Sequence, residues 1–251
     1  MHSVSIRGLS ISILSVALLT VPWPGDALRL EGSMPASVAR AVTFRAEDGT
    51  LLAGTWYEPV HRPAPAVILV HMLDRSRRDW EVIASRLAAD GIGALTLDLR
   101  GHGDSQYAQR PSSPAELGAL VADIAAARRF LGARPEVQPG RIGIAGASLG
   151  ASLAVLAAAQ SGTVVSVALL SPSLDYQGLR IEATARKVAR PMLLVASDED
   201  GYASRSVKDL QKAGGGVRET VLLHHAGHGT VMLGRDPSLA WTLVEWFRRT
   251  L

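Results

Sequence analysis

The chain has 251 residues, of which 47% are hydrophobic and 20% charged, and its formal net charge is +3. Lys and Arg are scattered without an aromatic–basic patch, which argues against a nucleic-acid partner. The absence of Cys excludes disulfides and a lipid-modified cysteine.

The N-terminal segment has the pattern of a signal peptide. It carries one basic residue, Arg7, then an apolar run at 9–21, and then a Pro-containing break that ends at Ala27. The run is shorter than the roughly 20 residues of a membrane-spanning helix. We therefore expect a secreted or periplasmic protein with no stable membrane span, and an uncleaved N-terminal anchor is the alternative. The predicted organisation is a signal peptide at 1–27, an N-terminal extension at 28–40 and a folded domain at 41–251.

Strand and helix patterns alternate through the rest of the chain. Two early strands, 40–46 and 50–57, are predicted to pair antiparallel around Asp48-Gly49. The repeated strand–helix units that follow predict an α/β fold, with a mostly parallel central sheet and helices on both faces. The predicted strands are 65–71, 92–98, 141–145, 164–170, 191–196 and 217–223. The predicted helices are about 77–90, about 114–131, one that follows 141–145 and runs to about 160, one within 177–189, 203–213 and 237–249.

The most informative stretch is Gly146-Ala147-Ser148-Leu149-Gly150, between a predicted strand and a predicted helix. A serine on a tight strand-to-helix turn has its hydroxyl raised above the edge of the sheet. The two glycines permit close backbone approach, and the helix N-terminus stabilises nearby negative charge. The bare pattern also occurs by chance as a Gly/Ser turn, so the flanking strand and helix carry the interpretation of Ser148 as a nucleophile.

Two later strand ends supply the partners that such a serine needs. The strand 191–196 runs into the acidic turn 197–201, and the strand 217–223 runs into a histidine-containing loop at 224–229. A serine hydroxyl is a weak nucleophile unless an imidazole accepts its proton, and a carboxylate must orient that imidazole. The carboxyl ends of parallel strands converge on one edge of a sheet, where ligands bind in α/β folds.

From about Ala41 to the C-terminus, these motifs resemble those of the α/β-hydrolases, especially the compact dienelactone-hydrolase-like and carboxylesterase-like members. The resemblance rests on His71-Met72-Leu73, the Asp98–Ser105 turn, the segment around Ser148, the Asp200 turn and Ala226-Gly227-His228-Gly229. It implies the α/β-hydrolase fold with a minimal cap, because only residues 171–190 separate two strands where lid-bearing members insert a large cap.

The resemblance also implies roles for individual residues. The acid usually ends a G-x-x-D turn, and Ser197 stands here in place of the glycine, so Asp200 is the acid and Asp198 the alternative. Losing one oxyanion-hole N–H costs on the order of 3 kcal/mol of transition-state stabilisation. The implied site comprises the catalytic residues Ser148, Asp200 and His228, the oxyanion-hole donors Leu73 and Leu149, and the substrate-binding residue Met72, which replaces a glycine common in relatives.

Other polar residues have simpler interpretations. We interpret His71 as a structural histidine that braces its loop. His224 and His225 beside His228 suggest a metal cluster, but the chain has no Cys and no H-E-x-x-H spacing. The sequence therefore predicts neither a metal site nor a cofactor.

Together these patterns predict a serine hydrolase that cleaves carboxylic esters with short or compact acyl groups through an acyl-enzyme on Ser148. Its expected partner is a small-molecule ester. The alternatives are a peptidase or an acyltransferase on the same fold, and a non-catalytic binding module. The sequence makes no prediction of the oligomeric state.

Overall fold

The computed structural model describes residues 38–106, 109 and 111–251. The predicted signal peptide and the predicted extension up to residue 37 lie outside the described residues. The strands are β1 Ala39–Arg45, β2 Leu51–Tyr57, β3 Ala64–Val70, β4 Gly93–Leu97, β5 Val137–Ala147, β6 Val164–Leu170, β7 Asp175–Tyr176, β8 Leu179–Arg180, β9 Met192–Ser197 and β10 Arg218–Leu223. After a 3₁₀ turn at Arg77–Trp80, the helices are α1 Glu81–Ala89, α2 Pro114–Ala119, α3 Val121–Gly132, α4 Leu149–Gln160, α5 Glu182–Lys187, α6 Gly201–Lys212, α7 Val231–Arg235 and α8 Ser238–Thr250.

The eight longer strands form one mixed sheet in the order β1-β2-β4-β3-β5-β6-β9-β10. β2 pairs antiparallel with both β1 and β4, and every later pairing in this sheet is parallel. Parallel neighbours need long crossovers, and helices supply them here. The predicted α/β architecture is confirmed.

Each central strand contributes to two apolar cores, one on each face of the sheet. In β9, Met192 and Leu194 join the core formed with α3 to α6, whereas Leu193 and Val195 join the core formed with α1 and α8. Burial on both faces explains why the central strands are nearly continuous apolar runs. Within the described ranges, no helix is both long and apolar enough to cross a bilayer.

The turn after β4 is held by a buried carboxylate. Asp98 accepts the backbone N–H groups of Arg77 at 2.7 Å and Asp104 at 2.9 Å, and it pairs with the Arg77 guanidinium. A Cβ atom at Gly103, where φ is +51°, would lie 2.1 Å from an Asp98 carboxylate oxygen. This turn therefore has a structural role: it holds the start of the 3₁₀ turn at Arg77–Trp80.

The structure divides one predicted helix and confirms another. The helix predicted at 114–131 is divided at Leu120, where the N–H bonds to Leu117 O in a tighter turn. The helix predicted within 177–189 is α5, and the β7–β8 hairpin precedes it. Gln177 and Gly178, both with positive φ, form the hairpin turn, and Asp175 Oδ1 accepts the Gly178 N–H at 2.7 Å. In residues 171–191, all of which the structure describes, the hairpin and α5 are the only elements between β6 and β9, so the expected minimal cap is confirmed.

Candidate active site

Ser148 lies on a strained turn between β5 and α4, with φ +52° and ψ −114°. A backbone of this kind costs about 1–3 kcal/mol for a residue other than glycine. Two glycines make the turn possible. A Cβ atom at Gly146 would lie 2.1 Å from Gly150 O, and one at Gly150 would lie 2.5 Å from Val70 O. The sequence pattern therefore has a steric cause in the packing of β3, β5 and α4.

The backbone around Ser148 is fixed on both sides. Its N–H bonds to Leu170 O at the end of β6 at 2.9 Å, and its C=O accepts the Ala151 N–H at 3.0 Å. The residue is 7% exposed. The neighbouring strand and the first turn of α4 thus hold the serine in one position at the carboxyl edge of the sheet.

His228 and Asp200 meet at the same edge. The Nδ1 atom of His228 lies 2.5 Å from Asp200 Oδ2. Asp200 is also the N-cap of α6, where its Oδ1 accepts the Ala203 N–H at 3.1 Å, and the start of a helix stabilises a carboxylate. With Nδ1 donating to Asp200, the Nε2 atom of His228 is left as a proton acceptor.

Asp198, the alternative acid, has different partners. Its Oδ2 lies 2.6 Å from His224 Nδ1, and its Oδ1 accepts the His225 N–H at 2.9 Å. The His225 N–H, with the His224 side chain, lowers the pKa of the Asp198 carboxyl below its ordinary value. The geometry therefore favours Asp200 as the partner of His228.

Ser148, Asp200 and His228 line one cavity of about 450 Å³. The cavity lies at the carboxyl ends of parallel strands, the position that the sequence predicts for a site. Met72 and Leu73 also line it, as the resemblance implies for the acyl pocket and the oxyanion loop.

The loop after β3 is held by the buried His71. Its Nε2 accepts the Leu99 N–H at 3.1 Å, so its Nδ1 carries a hydrogen and donates to Met72 O at 2.7 Å. In a trans peptide the C=O and N–H groups point in opposite directions, so the Leu73 N–H lies on the side away from His71. In the part of the chain that the structure describes, the N–H groups of Leu73 and Leu149 have no hydrogen-bond acceptor. Both are available as oxyanion donors.

Met72 also packs against the loop that carries His228. Its sulfur lies 3.4 Å from Thr230 Oγ1, and a Cβ atom at Gly229 would lie 2.7 Å from that sulfur. Thr230 Oγ1 donates in turn to Asp79 Oδ2 at 2.6 Å. The side chain that replaces the common glycine thus connects the loop after β3 to the histidine loop.

Burial lowers the pKa of His71 from 6.5 to about 4. Between these values the unfolded chain binds a proton that the folded protein excludes, so the stabilising effect is complete above pH 6.5 and is lost as the pH falls toward 4. We expect roughly 2–3 kcal/mol of unfolding free energy to be lost between pH 7.5 and 4.5 through this residue. Urea unfolding of wild type and His71→Asn at both pH values isolates this loss, since other titrating groups contribute to both proteins. An equal pH dependence in the two proteins would contradict the prediction.

His102 and His225 also have local partners. His102 lies beside His71, and its Nδ1 is 3.1 Å from Arg100 O. His225 Nδ1 lies 3.3 Å from Glu199 Oε2. Over residues 38–106, 109 and 111–251, no group of three or more His, Asp and Glu side chains is placed to hold a metal ion.

Several residues that line the cavity were not predicted from the sequence. Tyr176 and Gln177 belong to the β7–β8 hairpin, and Tyr202 lies in the first turn of α6, with its Oη 3.3 Å from Asp175 O. Ser171, which follows β6, is buried and lines the same cavity as Ser148. Its position after a parallel strand was a usable signal, because Ser148 and the Asp200 turn occupy equivalent positions.

Comparison with known proteins identifies related chains. Residues 61–190, which are 130 of the 251 residues, match the family model Hydrolase_4, described as "Serine aminopeptidase, S33". The matched range includes Ser148 and both proposed oxyanion donors and ends before Asp200.

Two curated relatives and one solved structure illustrate the similarity. An uncharacterized protein of Mycobacterium tuberculosis is 36% identical over 146 residues, covering 57% of this chain and 48% of the relative. The polyketide transferase ATR5 of Stachybotrys chlorohalonatus is 30% identical over 136 residues, covering 54% and 45%. The chain thus spans about half the length of the curated relatives it matches. The dienelactone hydrolase structure from Anabaena variabilis is 21% identical with a TM-score of 0.70, covering 86% of this chain and 99% of that chain, and shows a shared fold.

Proposed function

The chain belongs to the α/β-hydrolase family described by the serine aminopeptidase S33 model, and we propose that it hydrolyses carboxylic esters with short or compact acyl groups. The proposal depends on one observation above all. A strained Ser148 lines the same cavity as His228, whose Nδ1 lies 2.5 Å from the Asp200 carboxylate. This combination supplies a nucleophile, a proton acceptor and a carboxylate that orients the acceptor.

The reaction follows from these positions. Ser148 Oγ attacks the ester carbonyl carbon while His228 Nε2 takes the hydroxyl proton. When the tetrahedral intermediate collapses, the C–O bond to the alcohol breaks and His228 returns the proton to the departing oxygen. Water then attacks the acyl-enzyme by the same steps, which releases the acid and restores Ser148.

Two backbone N–H groups stabilise the negative charge that develops on the ester carbonyl oxygen. Leu149 N–H adjoins the nucleophile at the start of α4, and Leu73 N–H lies on the opposite side of its peptide from His71. Fixed donors of this kind stabilise the oxyanion without rearranging during the reaction. His71 contributes by holding the Met72–Leu73 peptide in one orientation.

Acyl transfer is a second candidate, because one curated relative is named a polyketide transferase. Transfer in preference to hydrolysis requires that water be excluded from the acyl-enzyme. The cavity here is bordered by a two-stranded hairpin and by Tyr202, which is 48% exposed. That open border favours hydrolysis.

The experiment that tests the proposal is labelling of the purified protein with a fluorophosphonate probe. The probe reacts with an activated serine whatever the natural substrate. We expect Ser148 to be the labelled residue, identified by mass spectrometry of the peptide. A protein that remains unlabelled would support the alternative of a binding module. Parallel assays with p-nitrophenyl acetate and aminoacyl p-nitroanilides then separate ester hydrolysis from peptidase activity.

The segment between β6 and β9 that borders the cavity is short, and this leads to a prediction about acyl length. A buried methylene contributes about 0.8 kcal/mol only where apolar surface covers it, and Met72 and Leu73 offer a shallow wall. We expect kcat/KM for p-nitrophenyl esters to increase from acetate over only a few carbons. The measurement uses acetate to palmitate esters below their micelle-forming concentrations. A maximum at decanoate or longer would show that the cavity holds long chains.

A further inference from the structure

The loop that carries His228 has an irregular backbone. Three of its residues have left-handed conformations, His225 with φ +46°, Gly227 with φ +89° and Gly229 with φ +59°. A backbone that alternates in this way forms no regular ladder of hydrogen bonds, so other groups must satisfy its buried N–H donors.

Two serine hydroxyls accept the buried N–H groups of this loop. Ser197 Oγ accepts the Ala226 N–H at 2.9 Å, and Ser171 Oγ accepts the Gly229 N–H at 2.9 Å. Both bonds are buried, and they lie on either side of His228 in the sequence. We call Ser171 and Ser197 the serine clamp.

The clamp is built on the strands that also carry the site. Ser197 ends β9, and Ser171 directly follows β6. Leu170, the last residue of β6, accepts the Ser148 N–H at 2.9 Å, so the nucleophile and Ser171 are attached to the same strand end. Ser171 itself is 1% exposed, has φ +47° and donates its N–H to Val195 O at 2.8 Å.

We propose that the serine clamp positions His228 for proton transfer with Ser148, an inference that rests on the proposed function. Asp200 orients the imidazole ring, and the clamp fixes the backbone from which the ring extends. Ser171 matters most, because it links the histidine loop to the strand end that holds Ser148. Both serines are positioning residues, since they act through His228.

Removing the Ser171 hydroxyl leaves the Gly229 N–H buried without an acceptor, and the loop must shift to satisfy it. A misplacement of about 1 Å at a catalytic group costs on the order of 10²-fold in rate. We therefore expect kcat of Ser171→Ala and Ser171→Gly to fall by about 10- to 100-fold, with KM changed by less than about threefold. Glycine also accepts positive φ, so the second variant separates loss of the hydroxyl from backbone strain.

Ser166→Ala is the matched control. Ser166 lies in the same strand and is fully buried, and its hydroxyl bonds to Thr250 Oγ1 at 2.6 Å. Its loss should lower thermal stability without changing kcat. The four proteins, including wild type, are compared by p-nitrophenyl acetate kinetics, by the rate of fluorophosphonate labelling of Ser148 and by melting temperature. Labelling depends on activation of Ser148 and needs no knowledge of the natural substrate.

Hydrogen exchange in the wild-type protein provides a readout independent of activity. The amides of Ala226 and Gly229 should be protected, and Gly229 should lose protection in Ser171→Gly. The inference is overturned if both amides of the wild type exchange as fast as exposed amides, or if both Ser171 variants keep the kcat of Ser166→Ala. A wild type that labels at Ser148 while the Ser171 variants are unimpaired refutes the clamp alone. A wild type that neither labels nor hydrolyses esters refutes the proposed function, and the inference fails with it.

Discussion

Replacing Ser148 by alanine should reduce the turnover of p-nitrophenyl acetate by several orders of magnitude. The change removes the oxygen that forms the acyl-enzyme and leaves Asp200, His228 and the oxyanion donors in place. Those remaining groups give a small residual rate over water. Steady-state kinetics of the purified variant measures the effect.

The control for Ser148→Ala is a measurement that shows the variant to be folded. Alanine keeps the Cβ atom in the strained turn and removes one hydroxyl, so the circular dichroism spectrum and melting temperature should stay close to those of wild type. A folded variant with unchanged turnover would show that Ser148 is not the nucleophile.

Asp200→Asn should lower turnover by on the order of 10⁴-fold, because an amide cannot stabilise the imidazolium as a carboxylate does. The side-chain amide introduced by this substitution donates to His228 Nδ1 and so forces the proton onto Nε2, the atom that must accept the serine proton. Asparagine remains a good N-cap for α6, so the fold should persist. Turnover number with p-nitrophenyl acetate is the measurement.

Asp198→Asn is the matched comparison for Asp200→Asn. Asp198 is also an aspartate and lies two residues before Asp200 in the sequence. It bonds to His224 and His225 instead of His228. Its substitution should change turnover by less than about threefold, in keeping with a carboxylate remote from the reacting atoms. If the Asp198 variant is the inactive one, the acid has been assigned to the wrong residue.

The sequence predicts the parallel sheet well because its strands are buried on both faces. Runs such as Val164–Leu170 and Met192–Ser197 are apolar almost without interruption. The helix α5 separates these two strands in the sequence. Local tertiary packing determines what the sequence does not reveal. The Leu120 N–H bonds to Leu117 O, three residues earlier, and this tighter turn divides the helix predicted at 114–131.

Candidate site residues were predictable where a residue type suited to catalysis follows the end of a predicted strand. Ser148, Asp200 and His228 satisfy that condition, and the structure brings them to one cavity. Their catalytic roles stay predictions. The hydrogen bonds from the histidine loop to Ser171 and Ser197 could not be predicted, because a strand-end position does not reveal which distant N–H a serine accepts. The bond between Ser171 and Gly229 joins residues 58 positions apart.

The β7–β8 hairpin forms a sheet of its own, separate from the eight-stranded sheet. It rests on α2, where a Cβ atom at Gly178 would meet the Pro114 ring at 2.8 Å, and it reaches the cavity through Tyr176 and Gln177. Insertions or deletions between residues 174 and 181 would leave every strand register of the main sheet intact. Under the proposed function, exchanging this one short segment would change the border of the cavity while leaving Ser148, Asp200 and His228 in place.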